Sequence, residues 1–452
     1  MLNLSQLNKK LFFAIFSCCL AGAFHHGYHM TAFNIPHQAL IDWTVKIEAN
    51  QSEYQHATWS MTSSMFPFGA FIGSIFTNFK FGPRKVLFHI SFFALLGQAL
   101  MNLSKELDSL LILNSGRFNV GVSTGICSTA SAFYLWDIAP TENQKTVIVF
   151  FQFFVMISMV TSQVIGMFVG RVSWIMAIMF ATIPLTFGII CLQFCPESPK
   201  HILFRKQDET RAMSRLIWLR NSTKVTEAFE NMKQEQNALG LAPEMTVKNI
   251  WSKKLLLCFI VTVSEQLCGV SVFIYYSSEV LHNFGMRNDE PEYVTIGIGL
   301  CMTLGTIIAL VVIDSLGPKT LLLISLALLF FATTALSVVF QLTITSGEAP
   351  ECWLFVTCVG SVLLYGFAYG LGVGSVRWLI ILKNFNFATR ALATALVQPI
   401  KFLISGVLVQ IFLLVNISWR YYIFVIFSFF DLVFFVYICF YMPRNKMEQE
   451  SI

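Results

Sequence analysis

The chain has 452 residues, of which 56% are hydrophobic and only 12% charged, with a mean hydropathy of +0.67 and a formal net charge of +5. A soluble domain carries roughly 25% charged residues, so this composition excludes a soluble enzyme or binding module. The positive balance makes no case for nucleic acid, because the basic residues cluster in short loops and one central segment.

Apolar runs long enough to cross a hydrocarbon core of roughly 30 Å recur along the chain. Lipid offers the backbone no hydrogen bonds and strand-like alternation is absent, so the spans are expected to be helices. Twelve are expected, near 11–33, 58–78, 87–103, 109–136, 146–168 and 175–195, then 255–281, 293–313, 320–343, 352–382, 391–415 and 420–442. The first begins after Lys9-Lys10 and contains Ala21-Gly22-Ala23, which imitates a signal peptide. Its apolar run continues towards Phe33, so a retained span is expected. The loop that follows holds Asn50-Gln51-Ser52, a glycosylation acceptor triplet, and a glycan on Asn50 is expected. Phe81-Gly82-Pro83-Arg84-Lys85 joins the second and third spans, and Leu316-Gly317-Pro318-Lys319 joins the eighth and ninth. That repeat, at matching places in two halves, suggests duplication; Gly-Pro makes the tight turn and the basic residue meets a membrane face.

The two halves are divided by a polar interval that opens at Phe194-Cys195-Pro196-Glu197-Ser198-Pro199-Lys200 and runs to about Lys254, with eleven Lys and Arg. The expected division is a six-helix bundle over 1–195, a cytoplasmic linker with short helices over 196–254, a second six-helix bundle over 255–442, and a cytoplasmic tail over 443–452. With the N-terminus inside, the inner segments hold about 22 of the 30 Lys and Arg and the outer loops about five. The positive-inside rule then places both termini and the linker in the cytoplasm, so Asn221-Ser222-Thr223 should stay bare. The eleven Cys lie mainly inside spans and show neither a disulfide framework nor a metal spacing, and no cofactor or metal is expected.

Several stretches resemble the sugar porter family of the major facilitator superfamily, the facilitative hexose transporters. Pro196-Glu197-Ser198-Pro199-Lys200 is similar to the family's P-E-S-P-R after the sixth span. Gln266-Leu267-Cys268-Gly269-Val270 with Phe273-Ile274-Tyr275-Tyr276 is similar to Q-Q-L-S-G-I-N and the aromatic pair after it. Gly116-Arg117-Phe118, Asp137-Ile138-Ala139-Pro140-Thr141, Gln152, and Gly374 with Trp378 follow in family order, and Gly22, Gly27-Tyr28, Asn34 and Pro36 fit the first span. The resemblance covers nearly the whole chain. It implies an all-α integral membrane protein with twelve transmembrane helices in two six-helix bundles, the major facilitator fold. The implied function is passive alternating-access transport of a small polar solute, a hexose or related sugar or polyol, across the plasma membrane. The chain also departs from the family. Glu265 stands where the first of two glutamines is usual, Ser271 and Met302 replace asparagines, and Lys401-Phe402 replaces an Asn-Trp pair. Gln144-Lys145 replaces an Arg-Gly, and Lys383 replaces a glutamate, although Arg390 is kept.

Gln152 and Gln266 carry donors and acceptors suited to hydroxyls, and Trp378 a flat face for a sugar ring; the alternative for each Gln is interhelical bonding. With Ser271, Glu265 and Lys401 they form the expected substrate site. A charge at the bilayer centre costs at least about 2.5 kcal/mol, so Glu265 and Lys401 should face the cavity or each other, or be structural. Arg377, next to Trp378, should pair with an acid or line the outer vestibule. Gates are expected at Tyr275 and Tyr276 and at Arg84, Asp137, Glu197 and Arg390, the last four holding helix ends in one conformer. His25, His26 and His29 form H-H-x-x-H. His29 stands where proton-coupled relatives carry an Asp, so it is a candidate proton site, against a neutral His bonded to a helix carbonyl. Three rivals to the passive sugar carrier remain. A proton-coupled carrier and an organic-ion carrier keep the fold, and a nutrient sensor drops the flux. Enzymatic function is not expected, since no nucleophile–base or metal set occurs.

Overall fold

The computed structural model describes residues 8–47, 55–76, 81–240, 250–286, 289–346, 351–415 and 417–442. Asn50 and the tail 443–452 lie outside them. Every regular element among the described residues is helical. The membrane helices, in order, are α1 (Lys9–Thr31), α2 (Gln55–Ile75), α3 (Pro83–Glu106), α4 (Leu110–Ile138), α5 (Gln144–Phe168), α6 (Trp174–Phe194), α7 (Lys253–Asn283), α8 (290–316), α9 (318–346), α10 (Cys352–Asn384), α11 (Arg390–Phe412) and α12 (Ile417–Tyr441). Nine helices among the described residues are long and apolar enough to cross a membrane, one of them being the α8–α9 pair. The other two, α2 and α4, have the length, 21 and 29 residues, but carry more small and polar side chains.

Those small side chains explain the packing. A methyl group on Gly69 or Gly73 of α2 would stand 2.1 Å from the carbonyl oxygen of Phe118 or Val122 on α4, and one on Gly121 would stand 2.2 Å from that of Phe66. The two backbones therefore touch along a small-xxx-small seam. The second half repeats the device between α8 and α10, where a Cβ on Gly370 would stand 2.0 Å from the Met302 carbonyl oxygen and one on Gly305 2.3 Å from that of Phe367. The halves meet through α2 on α11, where Ser64 donates to Gln410 Oε1 at 2.6 Å, and through α5 on α8, where Gly299 leaves room for Gln163.

The repeated Gly-Pro turn serves two different ends. Gly317 has φ 74° with open space around it, a backbone conformation that favours glycine, and it folds α8 back into α9 with no intervening loop. Gly82 has an ordinary φ of −64° and Pro83 opens α3, but a Cβ there would lie 2.2 Å from the Glu197 carboxyl carbon. That carboxylate accepts from the backbone N–H groups of Arg84 and Lys85, both at 3.1 Å, and so caps α3.

Besides a turn at 180–181 in α6, three spans expected to be plain helices are interrupted around a glycine. α1 widens into a π-helical stretch at Cys19–Phe24, where a Cβ on Gly22 would clash with Ser131 Oγ at 2.1 Å. α7 breaks at Gly269, φ 90°, against the Phe427 ring, and α10 breaks at Gly372, which lies on the Leu321 carbonyl. Between the halves, three short helices, Pro199–Lys206, Glu209–Arg220 and Thr226–Gly240, share a small core that includes Leu203, Leu216 and Phe229.

Candidate functional site

The polar residues gather between the halves, under two closed mouths. On the linker side, Asp137 at the end of α4 accepts both arms of the Arg390 guanidinium at the start of α11, at 2.7 and 2.8 Å, and the Ser198 hydroxyl at 2.9 Å. The pair is buried, and Arg390 also lies over the Phe133 and Phe387 rings. Charge-assisted bidentate pairing of this kind is among the stronger polar contacts. The Phe204 and Phe387 rings, 4.9 Å apart, and an exposed Lys145–Asp314 pair at 3.7 Å close the same end. Arg84 and Glu197 belong to this side too but join elements of the first half only. The Arg84 guanidinium donates to the Leu192 and Gln193 carbonyls, and its backbone N–H, not its charge, meets Glu197. Burial raises the Glu197 carboxyl above its ordinary range, and burial pushes the neighbouring His201 imidazole down to about 4.

At the opposite mouth the ions lie at the rim, where the partly exposed Arg171 of the first half pairs with Asp289 at 2.8 Å and Glu292 at 2.9 Å of the second, and the buried contacts are neutral. Asn34, in the turn after α1, donates to the Ile274 carbonyl at 2.9 Å and to Ser277 Oγ at 2.8 Å, and it accepts from the Ser278 N–H at 3.3 Å. Tyr276 sits at a kink in α7 with φ −135° and packs edge-on to Trp59 at 5.0 Å, and its hydroxyl donates to the Val409 carbonyl at 2.8 Å. Tyr275 is buried beside it. Asn34 is the gate residue that reasoning on the sequence left without a role. Its position ahead of Pro36, at the end of a span, was the available signal.

Between the mouths, Glu265, Lys401 and Arg377 meet. Lys401 Nζ donates to Glu265 Oε1 at 2.8 Å, the Tyr369 hydroxyl donates to the same oxygen at 3.1 Å, and Arg377 Nε lies 2.5 Å from Oε2. The Arg377 Nε–H is not aimed at that oxygen, so this contact is coulombic rather than an aligned hydrogen bond. A second arm of Arg377 donates to Gln398 Oε1 at 2.6 Å, and its guanidinium lies 4.6 Å from the Trp378 ring centre. The pair expected from the sequence is thus a set of three, with Arg377 facing the acid and not the vestibule. Tyr369 and Gln398 had no signal in the sequence.

The remaining expected site residues lie around this set. Gln152 of α5 approaches α10, where a Cβ on Gly374 would be 3.2 Å from its Nε2 and 2.9 Å from the Tyr369 ring. Gln266 Oε1 accepts from Ser271 Oγ at 2.8 Å, and Ser271 reaches Ser405 at 2.8 Å, so these two brace the broken α7. His29 is not among them. It is enclosed within the first half, with Nε2 3.1 Å from the Gln98 amide and its ring 4.7 Å from that of His25, and it makes no ion pair among the described residues. The expected alternative, a His bonded to a helix carbonyl, is also not what is seen. It is the His29 carbonyl that accepts, from Arg117 at 3.0 Å.

Two bundles with a polar centre and a separate closure at each end define a multi-pass membrane carrier. The chain belongs to the family described as sugar (and other) transporter, which matches residues 14–449. Among curated proteins it is 27% identical to facilitated glucose transporter protein 1 of Caenorhabditis elegans, over 98% of this chain and 89% of that one. It is 26% identical to solute carrier family 2, facilitated glucose transporter member 5 of Rattus norvegicus, over 98% and 90%. Among solved structures it superposes on the proton:xylose symporter XylE bound to 6-bromo-6-deoxy-D-glucose with a TM-score of 0.84 at 19% identity, covering 97% of each chain. On the inward-open conformation of XylE from E. coli the TM-score is 0.75 at 18% identity, covering 98% and 99%. These solved structures carry the same two-bundle fold. The chain is a membrane carrier and not an enzyme.

Proposed function

We propose that this carrier moves a sugar or sugar-like polyhydroxylated solute down its gradient, the two bundles 1–195 and 255–442 rocking about a site that each opening exposes to one side. The observation that carries the reading is the approach of Gln152 on one bundle to Gly374 and Tyr369 on the other, between mouths closed by independent contacts. Gln152, Gln266, Ser271 and Trp378 would hold hydroxyls and the ring face, and Glu265 and Lys401 would border them. The Asp137–Arg390 pair and the contacts of Asn34 and Tyr276 would be broken in turn. Passive transport is favoured over proton coupling because His29 is enclosed in one bundle away from that path. The linker end would face the cytoplasm and the membrane would be the plasma membrane, in keeping with the basic bias of that end.

Uptake into proteoliposomes, with D-glucose, D-xylose and sorbitol as probes and with and without a pH gradient, tests this. The expected outcome is filling to equilibrium at a rate that a protonophore and His29→Asn leave unchanged. Accumulation above equilibrium driven by protons would contradict the passive reading, and absence of any protein-dependent flux, of these probes or of a charged sugar derivative, would contradict the carrier reading.

A further inference from the structure

A neutral sugar needs no ion at the centre of a membrane, yet three ionic side chains sit there. Glu265 is 1% exposed, Arg377 2% and Lys401 6%, so water screens none of them. Their charges do not cancel. Glu265 supplies one negative charge and uses both oxygens, Oε1 on Lys401 and Tyr369 and Oε2 on Arg377. Arg377 and Lys401 supply two positive charges. No other acid among the described residues completes the set. Asp137 is taken by Arg390 at the linker side, and Asp431 of α12 is held by the Thr333 hydroxyl at 3.3 Å and makes no ion pair.

The same place holds polar atoms with nothing to bond. Neither ring nitrogen of His26 has a hydrogen-bond partner, although the residue is 4% exposed. Its ring lies 6.0 Å from that of Phe402, the residue after Lys401, and within electrostatic reach of both Lys401 and Arg377. Gln398 Nε2, on the amide that holds Arg377, is likewise buried without a partner. Buried groups of this kind are costly when left unpaired.

We infer that the solute of this site carries one carboxylate as well as hydroxyls: it is a sugar acid of the aldonate or uronate class, its carboxylate taken by Lys401 and His26 and its hydroxyls by Gln152 and Gln266. This rests on the carrier reading above. One anion cancels the surplus positive charge, so the loaded site is neutral where a neutral sugar would leave it charged. Because that charge enters and leaves with the solute, each turnover moves one negative charge across the membrane.

D-Gluconate and D-glucose are the probes, each labelled, in proteoliposomes whose potential is clamped with potassium and valinomycin. An inside-positive potential should accumulate gluconate by about tenfold for each ~60 mV, and should leave glucose untouched. Lys401→Asn removes the surplus charge and leaves the Glu265–Arg377 pair balanced. It should lower gluconate uptake by at least about tenfold, the scale of a lost charge-assisted hydrogen bond, and admit glucose at a rate independent of potential. Lys401→Arg, which keeps the charge, should keep the preference for gluconate and shows that loss in Lys401→Asn is not misfolding. Glucose uptake by the wild type that excess gluconate does not inhibit would overturn the inference. If neither probe moves, the carrier reading fails, and equilibrium binding of gluconate in detergent decides the site: binding lost in Lys401→Asn sustains the ligand class, and no binding by the wild type overturns it.

Discussion

At the centre of the protein the first bundle presents His26 and Gln152, side chains without fixed charge, whereas the second presents Glu265, Arg377 and Lys401. Besides Asp137 at the linker-side mouth, the first bundle buries Arg117, but spreads it over the Phe33 and Phe66 rings, 4.3 and 5.1 Å away, and a backbone carbonyl. The mouths differ in the same manner. A buried bidentate ion pair closes the linker side, whereas on the other side the buried contacts are neutral hydrogen bonds from Asn34 and the ions, Arg171 with Asp289 and Glu292, stay at the partly exposed rim. A common plan of helices, with the same glycine seams in α2–α4 and α8–α10, thus carries two kinds of polar chemistry. In the second bundle the charges must hold one another before they can hold a solute.

The sharpest way to break this contrast is to remove the shared acid. Glu265→Gln leaves Arg377 and Lys401 buried without a counter-charge, and losing one partner of a buried ion pair costs about 3–5 kcal/mol. Folded yield on size-exclusion chromatography should fall steeply, whereas Gln152→Ala in the first bundle should change flux and not yield. Adding Lys401→Asn to Glu265→Gln should recover only part of the loss, because Arg377 stays unpaired. Full recovery would mean that Arg377 takes no part in the set.

The two mouths provide the next contrast. Arg390→Ala strands Asp137 and should shift the population towards opening at the linker side, read as a longer distance between spin labels on Lys145 and Lys383. Asn34→Ala removes neutral hydrogen bonds worth about 0.5–1.5 kcal/mol each and should loosen the opposite mouth by less. Equal shifts would show that buried charge is not what separates the two closures.

The smallest expected effect concerns the linker. Burial holds the His201 imidazole at about 4, whereas in the unfolded chain it titrates near 6.5. Between those values the unfolded chain binds more protons, so stability falls as pH drops from about 6.5 to 4 and is fully present above that window. Thermal unfolding across this window should show a slope that His201→Gln flattens. An unchanged slope would assign the pH dependence elsewhere.

Much of the fold was legible because lipid enforces it: each span must close its own backbone hydrogen bonds, so length and apolarity locate helices. The breaks in α1, α7 and α10 were not, since each depends on a neighbour pressing on a glycine, Ser131 on Gly22, Phe427 on Gly269 and the Leu321 carbonyl on Gly372. Of the central charges, Glu265 and Lys401 stood out because ions are rare in spans. Their direct pairing, and the approach of Arg377 to the same acid, depend on three helices far apart in the chain, and Tyr369 and Gln398 are unremarkable until those helices meet. Glu197 was expected at a helix end, and the groups it meets there, the amides of Arg84 and Lys85, are set by packing. The enclosure of His29 within the first bundle also follows from packing, since its sequence position left a proton role and a neutral, hydrogen-bonded His both open.

The claim on which these contrasts depend is the uncompensated positive charge beside Glu265. The most direct test is the current recorded when D-gluconate is added to the protein in membranes adsorbed on a solid support. The account predicts a transient current with gluconate, none with D-glucose, and loss of the gluconate signal in Lys401→Asn but not in Lys401→Arg. A current of the same size with glucose, or a gluconate current that survives Lys401→Asn, would contradict it.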